Sequence, residues 1–364
     1  MGERERYDRR LHPFRKIMQK SKQESRAGAA RARLRLAPLC LLATFALAGC
    51  DGGRGGGGAA ANATPAQTAA ATNTGATPPS RPPFDGQRAF EHVRKMVEAG
   101  PRPAGSAELA RTRQYLVGEL QSANLKVTTD EWDARTPVGV KRMANVVVEL
   151  PGKSQDVVII ASHYDTKPFK EFRFVGANDG GSSTGALVEI ARALALTKQQ
   201  PNLTYWFVFF DGEEAFCKEW DECETPDGPD NTYGSRHMVA RLKGRGELQR
   251  VRAMILLDMI GYTNLRLQQD TMGTRWLGDL IWTTAREIGH GQIFAAGEEG
   301  VGGDDHEPFL REGVPAVDLI QLGGYPHWHT PEDTLDKISP RSLQVVGETV
   351  LASLPKIERN VTPR

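Results

Sequence analysis

Tyr205-Trp-Phe-Val-Phe-Phe-Asp-Gly-Glu-Glu214 runs an apolar, aromatic-rich stretch directly into three carboxylates. An unbroken apolar run of this kind, with no polar alternation, reads as a strand buried on both faces of a parallel sheet. Three further runs read the same way, at residues 157–161, 254–257 and 316–320. Segments with helical spacing accompany them: 87–99, 107–122, 184–196 after a Gly-Gly-Ser-Ser-Thr-Gly loop, and 277–288. Strand and helix alternate, so the expected fold is α/β, a mostly parallel central sheet with helices on both faces.

In such sheets ligands bind beyond the carboxyl ends of the strands. The first strand here runs into His163 and Asp165, the second into Asp211, Glu213 and Glu214, and the third into Asp258. Asp179, in Asn178-Asp-Gly-Gly181, and His329, in Trp328-His-Thr330, complete a set of two histidines and several carboxylates. Each has a bland reading taken alone: a core histidine at a strand end, Asp179 as a helix N-cap, Asp211-Gly212 as a turn. Together they would bury several charges in one place, which a bound cation makes tolerable, and N/O donors of this kind suit zinc. Adjacent Glu213 and Glu214 can divide labour, one binding metal while the other carries protons.

Outside this region the chain changes character. Lysine plus arginine (46) nearly equal aspartate plus glutamate (45), which provides no basic field for nucleic acid. A basic stretch at 26–35, an apolar run at 36–47 and Leu47-Ala-Gly-Cys50 read as a signal peptide over 1–49, with Cys50 as the lipidated first residue of the mature chain. The expected location is therefore the bacterial cell envelope, lipid-anchored at its periplasmic or extracellular face. Residues 50–83, beginning at that cysteine, form a flexible linker rich in Gly, Ala, Thr, Asn and Pro, and 84–364 form a single catalytic domain, expected to act as a monomer. In an oxidising compartment Cys217 and Cys223 read as a disulfide, with two buried free thiols as the other reading.

The motifs His163-Tyr-Asp165, Asn178-Asp-Gly-Gly181, Asp211-Gly-Glu-Glu214, Leu257-Asp258, Asp304-Asp-His-Glu-Pro-Phe309 and His329-Thr-Pro-Glu-Asp333 span residues 145 to 340 and together resemble the zinc aminopeptidase family. That resemblance implies two metals held by His163, Asp179, Glu214, Asp258 and His329, with Glu213 as base and Asp165 orienting His163. A narrower resemblance, to glutaminyl cyclases of the animal type, rests on Phe210-Asp-Gly-Glu-Glu-Ala-Phe216, Trp220, Asn231-Thr-Tyr-Gly-Ser-Arg-His237, Asp304-Asp-His-Glu-Pro-Phe-Leu310 and Trp328. It implies one zinc on Asp179, Glu214 and His329, with His163 and Asp258 behind it or available for a second ion. It also implies substrate contacts from Trp328, Trp220 and Tyr325. The chain departs from the cyclase pattern at Asp318, where His is usual, and at Gly303, where Gln is usual; both positions bear on the network around Asp304.

The implied substrate is the N-terminus of a peptide or protein, and the residue types suit the chemistry. Cyclising an N-terminal glutamine needs a Lewis acid on the amide oxygen and one proton carrier, here Glu213. Asp304 and Asp258 would hold the charge network that steadies the tetrahedral intermediate, and Trp328 would wall the glutamine pocket. Two other readings are a two-zinc aminopeptidase, in which Glu213 deprotonates a metal-bound water, and a lipid-anchored binding protein without turnover. The second predicts loss of Glu213 or a ligand, and all are present.

Overall fold

The computed structural model describes residues 84–361, apart from 198. The expected signal peptide, lipid-bearing Cys50 and linker lie outside the described residues. In chain order the elements are α1 (Gly86–Ala99), α2 (Ala107–Ser122), β1 (Lys126–Thr136), β2 (Gly139–Leu150), β3 (Val157–His163), α3 (Gly181–Ala195), β4 (Thr204–Phe210), the short β5 (Glu224–Thr225) and β6 (Gly228–Pro229), α4 (Tyr233–Gly244), β7 (Val251–Leu257), β8 (Leu267–Asp270), α5 (Arg275–Glu287), β9 (Phe294–Glu299), α6 (Glu307–Arg311), β10 (Ala316–Leu319) and α7 (Pro340–Asn360). The main sheet has the order β1-β2-β4-β3-β7-β10. Its β4, β3, β7 and β10 are parallel, and β2 and β1 add an antiparallel margin.

Alternation along the buried strands sends side chains into two cores. Val158, Ile160, Phe207, Phe209, Ile255 and Leu257 meet helix residues such as Val93, Leu187, Ile190, Ile281 and Val346. Ile159, Ala161, Val208, Phe210, Met254 and Leu256 meet Met238, Val239 and Leu242 of α4. The apolar runs therefore lack polar alternation because both faces are covered, as expected for an α/β sheet.

Two features differ from the sequence reading. The β1–β2 hairpin was not expected: β1 is an edge strand whose largely exposed residues are mostly polar, so it carries no apolar run. The Gly-Gly-Ser-Ser-Thr-Gly segment, read as a loop, is largely the first turn of α3, which begins at Gly181. That turn is anchored by side chains rather than by an N-cap: Ser162 Oγ donates to Ser183 Oγ (2.9 Å) and Thr184 Oγ1 to the His163 carbonyl (2.7 Å). Glycine is required at two places around it. Gly180 has φ +71°, and a Cβ there would lie 2.8 Å from the Asp165 carbonyl and from the His163 ring; at Gly185 one would lie 2.6 Å from the Ala89 carbonyl of α1.

Candidate active site

From β3 the chain passes through α3 to β4 on one side, whereas β7 leads on to β10 on the other. The crevice where connections diverge therefore lies at the carboxyl ends of β3 and β7. His163 ends β3 and Asp258 follows β7; His163 Nε2 and Asp258 Oδ1 are 3.1 Å apart. Asp258 Oδ1 also accepts the Met259 N–H at 2.8 Å.

Asp179 sits between the two histidines. Its Oδ1 is 3.3 Å from His163 Nε2 and its Oδ2 is 3.4 Å from His329 Nε2. Its backbone is held from a distant loop, because Asp333 accepts the N–H of Asn178 (Oδ1, 2.8 Å) and of Asp179 (Oδ2, 3.1 Å). The Tyr325 hydroxyl donates to Asp333 Oδ1 at 2.6 Å. Beneath these loops Arg102, fully buried, donates to the carbonyls of Tyr164 (2.9 Å), Val175 (2.6 Å) and Gly176 (3.0 Å). Burial lowers its guanidinium to about 10, with Asp165 and Asp333 pulling the other way, so it stays cationic at neutral pH.

Asp165 fixes the adjacent glutamates by accepting the N–H of Glu213 (3.2 Å) and of Glu214 (3.3 Å). The two side chains then diverge. Glu213 Oε2 lies 3.7 Å from His163 Nδ1, and Glu214 Oε1 lies 3.2 Å from His329 Nε2. Burial pushes Glu213 well above the carboxylate range, with His163 opposing it. Burial also lifts Glu214 to about 7 against the pull of Lys167, and Asp258 to about 7 against that of His163. Burial would lower His163, but Glu213 and Asp258 outweigh it and hold the imidazole well above its usual value.

Asp179, Glu214 and His329 offer ligand atoms within 4.8 Å of one another, as do His163, Asp179 and Asp258. Enclosed Asp179 Oδ2 and Glu214 Oε2 make no hydrogen bond. Buried oxygens are rarely left so, and a cation on the first trio satisfies both. The donor set present therefore fits zinc.

Thr232, Met259 and His329 all adopt positive φ (49°, 45° and 54°), a conformation costly for side-chain-bearing residues. At His329 it separates neighbours that an extended segment would place on one face. His329 turns to Asp179 and Glu214, while His327 packs edge-on against Tyr262 and Tyr325. Trp328 stacks on His329 (4.4 Å between centroids), and Phe169 and Phe174 meet the His329 ring edge-on at 5.4 and 5.9 Å. Those two phenylalanines, Arg102 and the Asp333 clamp escaped the sequence reading; only Asp333 carried a signal, as the last residue of the His329 motif. Tyr325, expected at the substrate, is buried with its hydroxyl directed at Asp333.

Cys217 and Cys223 are disulfide-bonded. This loop presents half-buried Trp220, whose indole covers Gly303: with φ +84°, a Cβ there would lie 2.4 Å from Trp220 Nε1. The departure from Gln at this position thus has a steric reason. Asp304 is buried and its Oδ1 accepts the Asp305 N–H at 2.6 Å. Both carboxylates, with Asp304 the stronger, add to the field that raises Glu213.

A family model for peptidase family M28 matches residues 145–354, more than half the chain. The glutaminyl-peptide cyclotransferase-like protein of Mus musculus is 33% identical over 270 residues, covering 66% of this chain and 67% of its own length. Among solved structures, a glutaminyl cyclase from an Acidobacteriales bacterium is 36% identical with a TM-score of 0.69, covering 81% of this chain and 100% of that one. A Zn-dependent exopeptidase from Parabacteroides distasonis is 26% identical with a TM-score of 0.64, covering 75% and 98%. The expected likeness to glutaminyl cyclases is borne out, and with the fold, the matched residues and these relatives in agreement, the chain belongs to peptidase family M28.

Proposed function

We propose that this chain is a glutaminyl-peptide cyclotransferase, converting the N-terminal glutamine of peptides or proteins to pyroglutamate with release of ammonia, and that it works with one zinc ion on Asp179, Glu214 and His329. The observation that carries the reading is how hydrogen bonding divides the acid cluster. Of the two unbonded ligand oxygens, Glu214 Oε2 belongs to the His329 trio alone, and Asp179 Oδ2, on the residue both trios share, is the oxygen that faces His329. Each trio has one imidazole–carboxylate hydrogen bond, His163 to Asp258 at 3.1 Å and His329 to Glu214 at 3.2 Å, so the unbonded oxygens are what set the His329 side apart.

When bound, zinc supplies a Lewis acid for the γ-carboxamide oxygen. Glu213, raised well above the carboxylate range by burial, is the group placed to take up and return a proton. The α-amino nitrogen bonds to the carbonyl carbon of the γ-carboxamide (Cδ), closing a five-membered ring, and the bond from that carbon to its amide nitrogen breaks. The proton lost by the attacking amine passes through Glu213 to the departing nitrogen, which leaves as ammonia. Asp258 fixes His163, which faces Glu213, and Asp304 strengthens the field on Glu213. Trp328, stacked on His329, and Trp220 wall the pocket for the glutamine side chain.

The test is product analysis of the zinc-loaded chain with glutamine-leading and leucine-leading peptides. Ammonia release with the peptide chain intact is expected. Release of free leucine instead overturns the reading in favour of a two-zinc aminopeptidase, with His163 and Asp258 as further ligands.

We also propose a lipid on Cys50 that tethers a monomer to the bacterial envelope, at its periplasmic or extracellular face, on the strength of Leu47-Ala-Gly-Cys50 after an apolar run. Cys50→Ala should move the chain from the membrane to the soluble fraction; a variant that stays with membranes rejects the tether.

A further inference from the structure

A second group of ionisable side chains lies behind the candidate active site. Asp304 and His306 immediately precede α6, Asp318 lies in β10 opposite Leu256 of β7, and Asp270 ends β8. Asp304, His306 and Asp318 are 6%, 0% and 1% exposed, and their ligand atoms lie within 4.8 Å of one another. His306 Nε2 approaches Asp270 Oδ2 to 3.0 Å and His306 Nδ1 is 4.0 Å from Asp318 Oδ2. Among the described residues, His306 is the only cationic partner these carboxylates have within ion-pair distance.

Two independent observations point to a ligand. First, both His306 nitrogens, both Asp318 oxygens and Asp270 Oδ2 are enclosed yet make no directed hydrogen bond. A neutral imidazole must present one lone pair, and both His306 nitrogens face carboxylates, which offer no donor unless protonated. Second, a cavity of about 130 Å³ reaches Asp270 and Asp318, lined also by Gln269, Thr274 and Glu298. None of Asp179, Glu213, Glu214 or His329 lines it, so it approaches the group by a route separate from the candidate active site.

We propose that Asp304, His306 and Asp318 form a second, buried site for a divalent first-row transition cation, with His306 offering Nδ1 and Asp270 facing its other ring nitrogen. An imidazole nitrogen among carboxylate oxygens suits zinc or manganese and disfavours the all-oxygen shells of calcium and magnesium. A dication there offsets the excess of buried carboxylates and orders the unbonded atoms. It also fixes Asp304, whose charge bears on Glu213. The inference concerns cation binding and stands whether or not the chain cyclises glutamine.

The experiment counts zinc per chain by inductively coupled plasma mass spectrometry, after chelator stripping and reloading of the full chain. Asp318→Asn and His306→Gln should each lose one equivalent relative to wild type. His163→Ala/His329→Ala, which breaks both trios of the active site, should retain one, and that ion should vanish when His306→Gln is added. Wild-type zinc content in both Asp318→Asn and His306→Gln overturns the proposal and leaves the cluster held by shared protons. Should neither variant fold, the His163→Ala/His329→Ala chain still decides, because a folded double variant that binds no zinc overturns the proposal by itself.

Discussion

Asp333→Asn keeps the size of a side chain that holds the Asp179 loop and changes only what it offers. In the native site Oδ1 accepts from the Asn178 N–H and the Tyr325 hydroxyl, while Oδ2 accepts from the Asp179 N–H. An asparagine oxygen placed at the first position serves two donors, which turns its NH2 toward the Asp179 N–H, 3.1 Å away in the native site. One charge-assisted hydrogen bond, worth about 1.5–3 kcal/mol, is lost, and a buried N–H faces another donor. With local relaxation the defect is about 3 kcal/mol, concentrated on the peptide whose side chain faces both His163 and His329. If all of it falls on the metal-loaded state, zinc affinity drops roughly 100-fold. If the metal-free state shares it, part appears as a melting temperature several degrees lower. Tyr325→Phe removes one donor and leaves both N–H groups satisfied, so it should cost about 1 kcal/mol, or roughly fivefold in affinity. Zinc competition against a fluorescent chelator, with thermal melts in parallel, measures both quantities. An Asp333→Asn chain with zinc affinity within threefold of wild type and an unchanged melting temperature would refute the clamp, as would Tyr325→Phe proving the more damaging change.

Glu213→Gln should lower kcat by about 10²–10⁴ while zinc content stays at the wild-type level, since the amide keeps the volume but cannot carry the proton; turnover above a tenth of wild type removes Glu213 from its role. Trp328→Ala should raise KM for glutamine-leading peptides more than it lowers kcat, which steady-state kinetics would show, and an unchanged KM takes Trp328 out of the pocket wall. His92, far along the sequence from the acid cluster, sets an acid limit on stability. Burial, with Arg88 and Arg192, lowers it from 6.5 to about 4, so the unfolded chain binds the extra proton between those values. Its contribution is therefore complete above pH 6.5 and is lost as pH falls toward 4, by about 3 kcal/mol at roughly 1.4 per unit. Urea unfolding of His92→Gln should show a correspondingly flatter slope across that window, and an unaltered slope would assign the pH dependence elsewhere.

What could be read from the sequence follows from where the information resides. Strands β3, β4, β7 and β10 were legible because burial on both faces leaves them mostly apolar, and His163, Glu213, Glu214 and Asp258 because they sit where those runs stop. The edge strand β1 was not, since exposure permits the polar residues of 126–136. Asp333 and Arg102 escaped for another reason: their partners are backbone groups far away in the chain, the N–H of Asn178 and Asp179 and the carbonyls of Tyr164, Val175 and Gly176. Any residue could supply those groups, so the letters do not mark these contacts, even though Asp333 itself closes the His329 motif.

The same distinction bears on metal count. Every side chain of a two-zinc site is present, and an inventory of ligand types therefore cannot separate one ion from two. The one-zinc proposal rests instead on which donor atoms lack hydrogen bonds. Each trio has one imidazole–carboxylate hydrogen bond, His163 to Asp258 at 3.1 Å and His329 to Glu214 at 3.2 Å, but the enclosed carboxylate oxygens with no hydrogen bond, Glu214 Oε2 and the Asp179 Oδ2 facing His329, lie on the His329 side. An ion at either trio displaces the proton of its imidazole–carboxylate pair, but an ion at the His329 trio also gives partners to two enclosed oxygens that otherwise have none. Zinc should therefore bind first and more tightly beside His329, and His163→Ala should leave that first affinity within a few fold of wild type while His329→Ala abolishes it. The reverse order of loss in a zinc titration would make the His163 trio the primary site and return the mechanism to two metals.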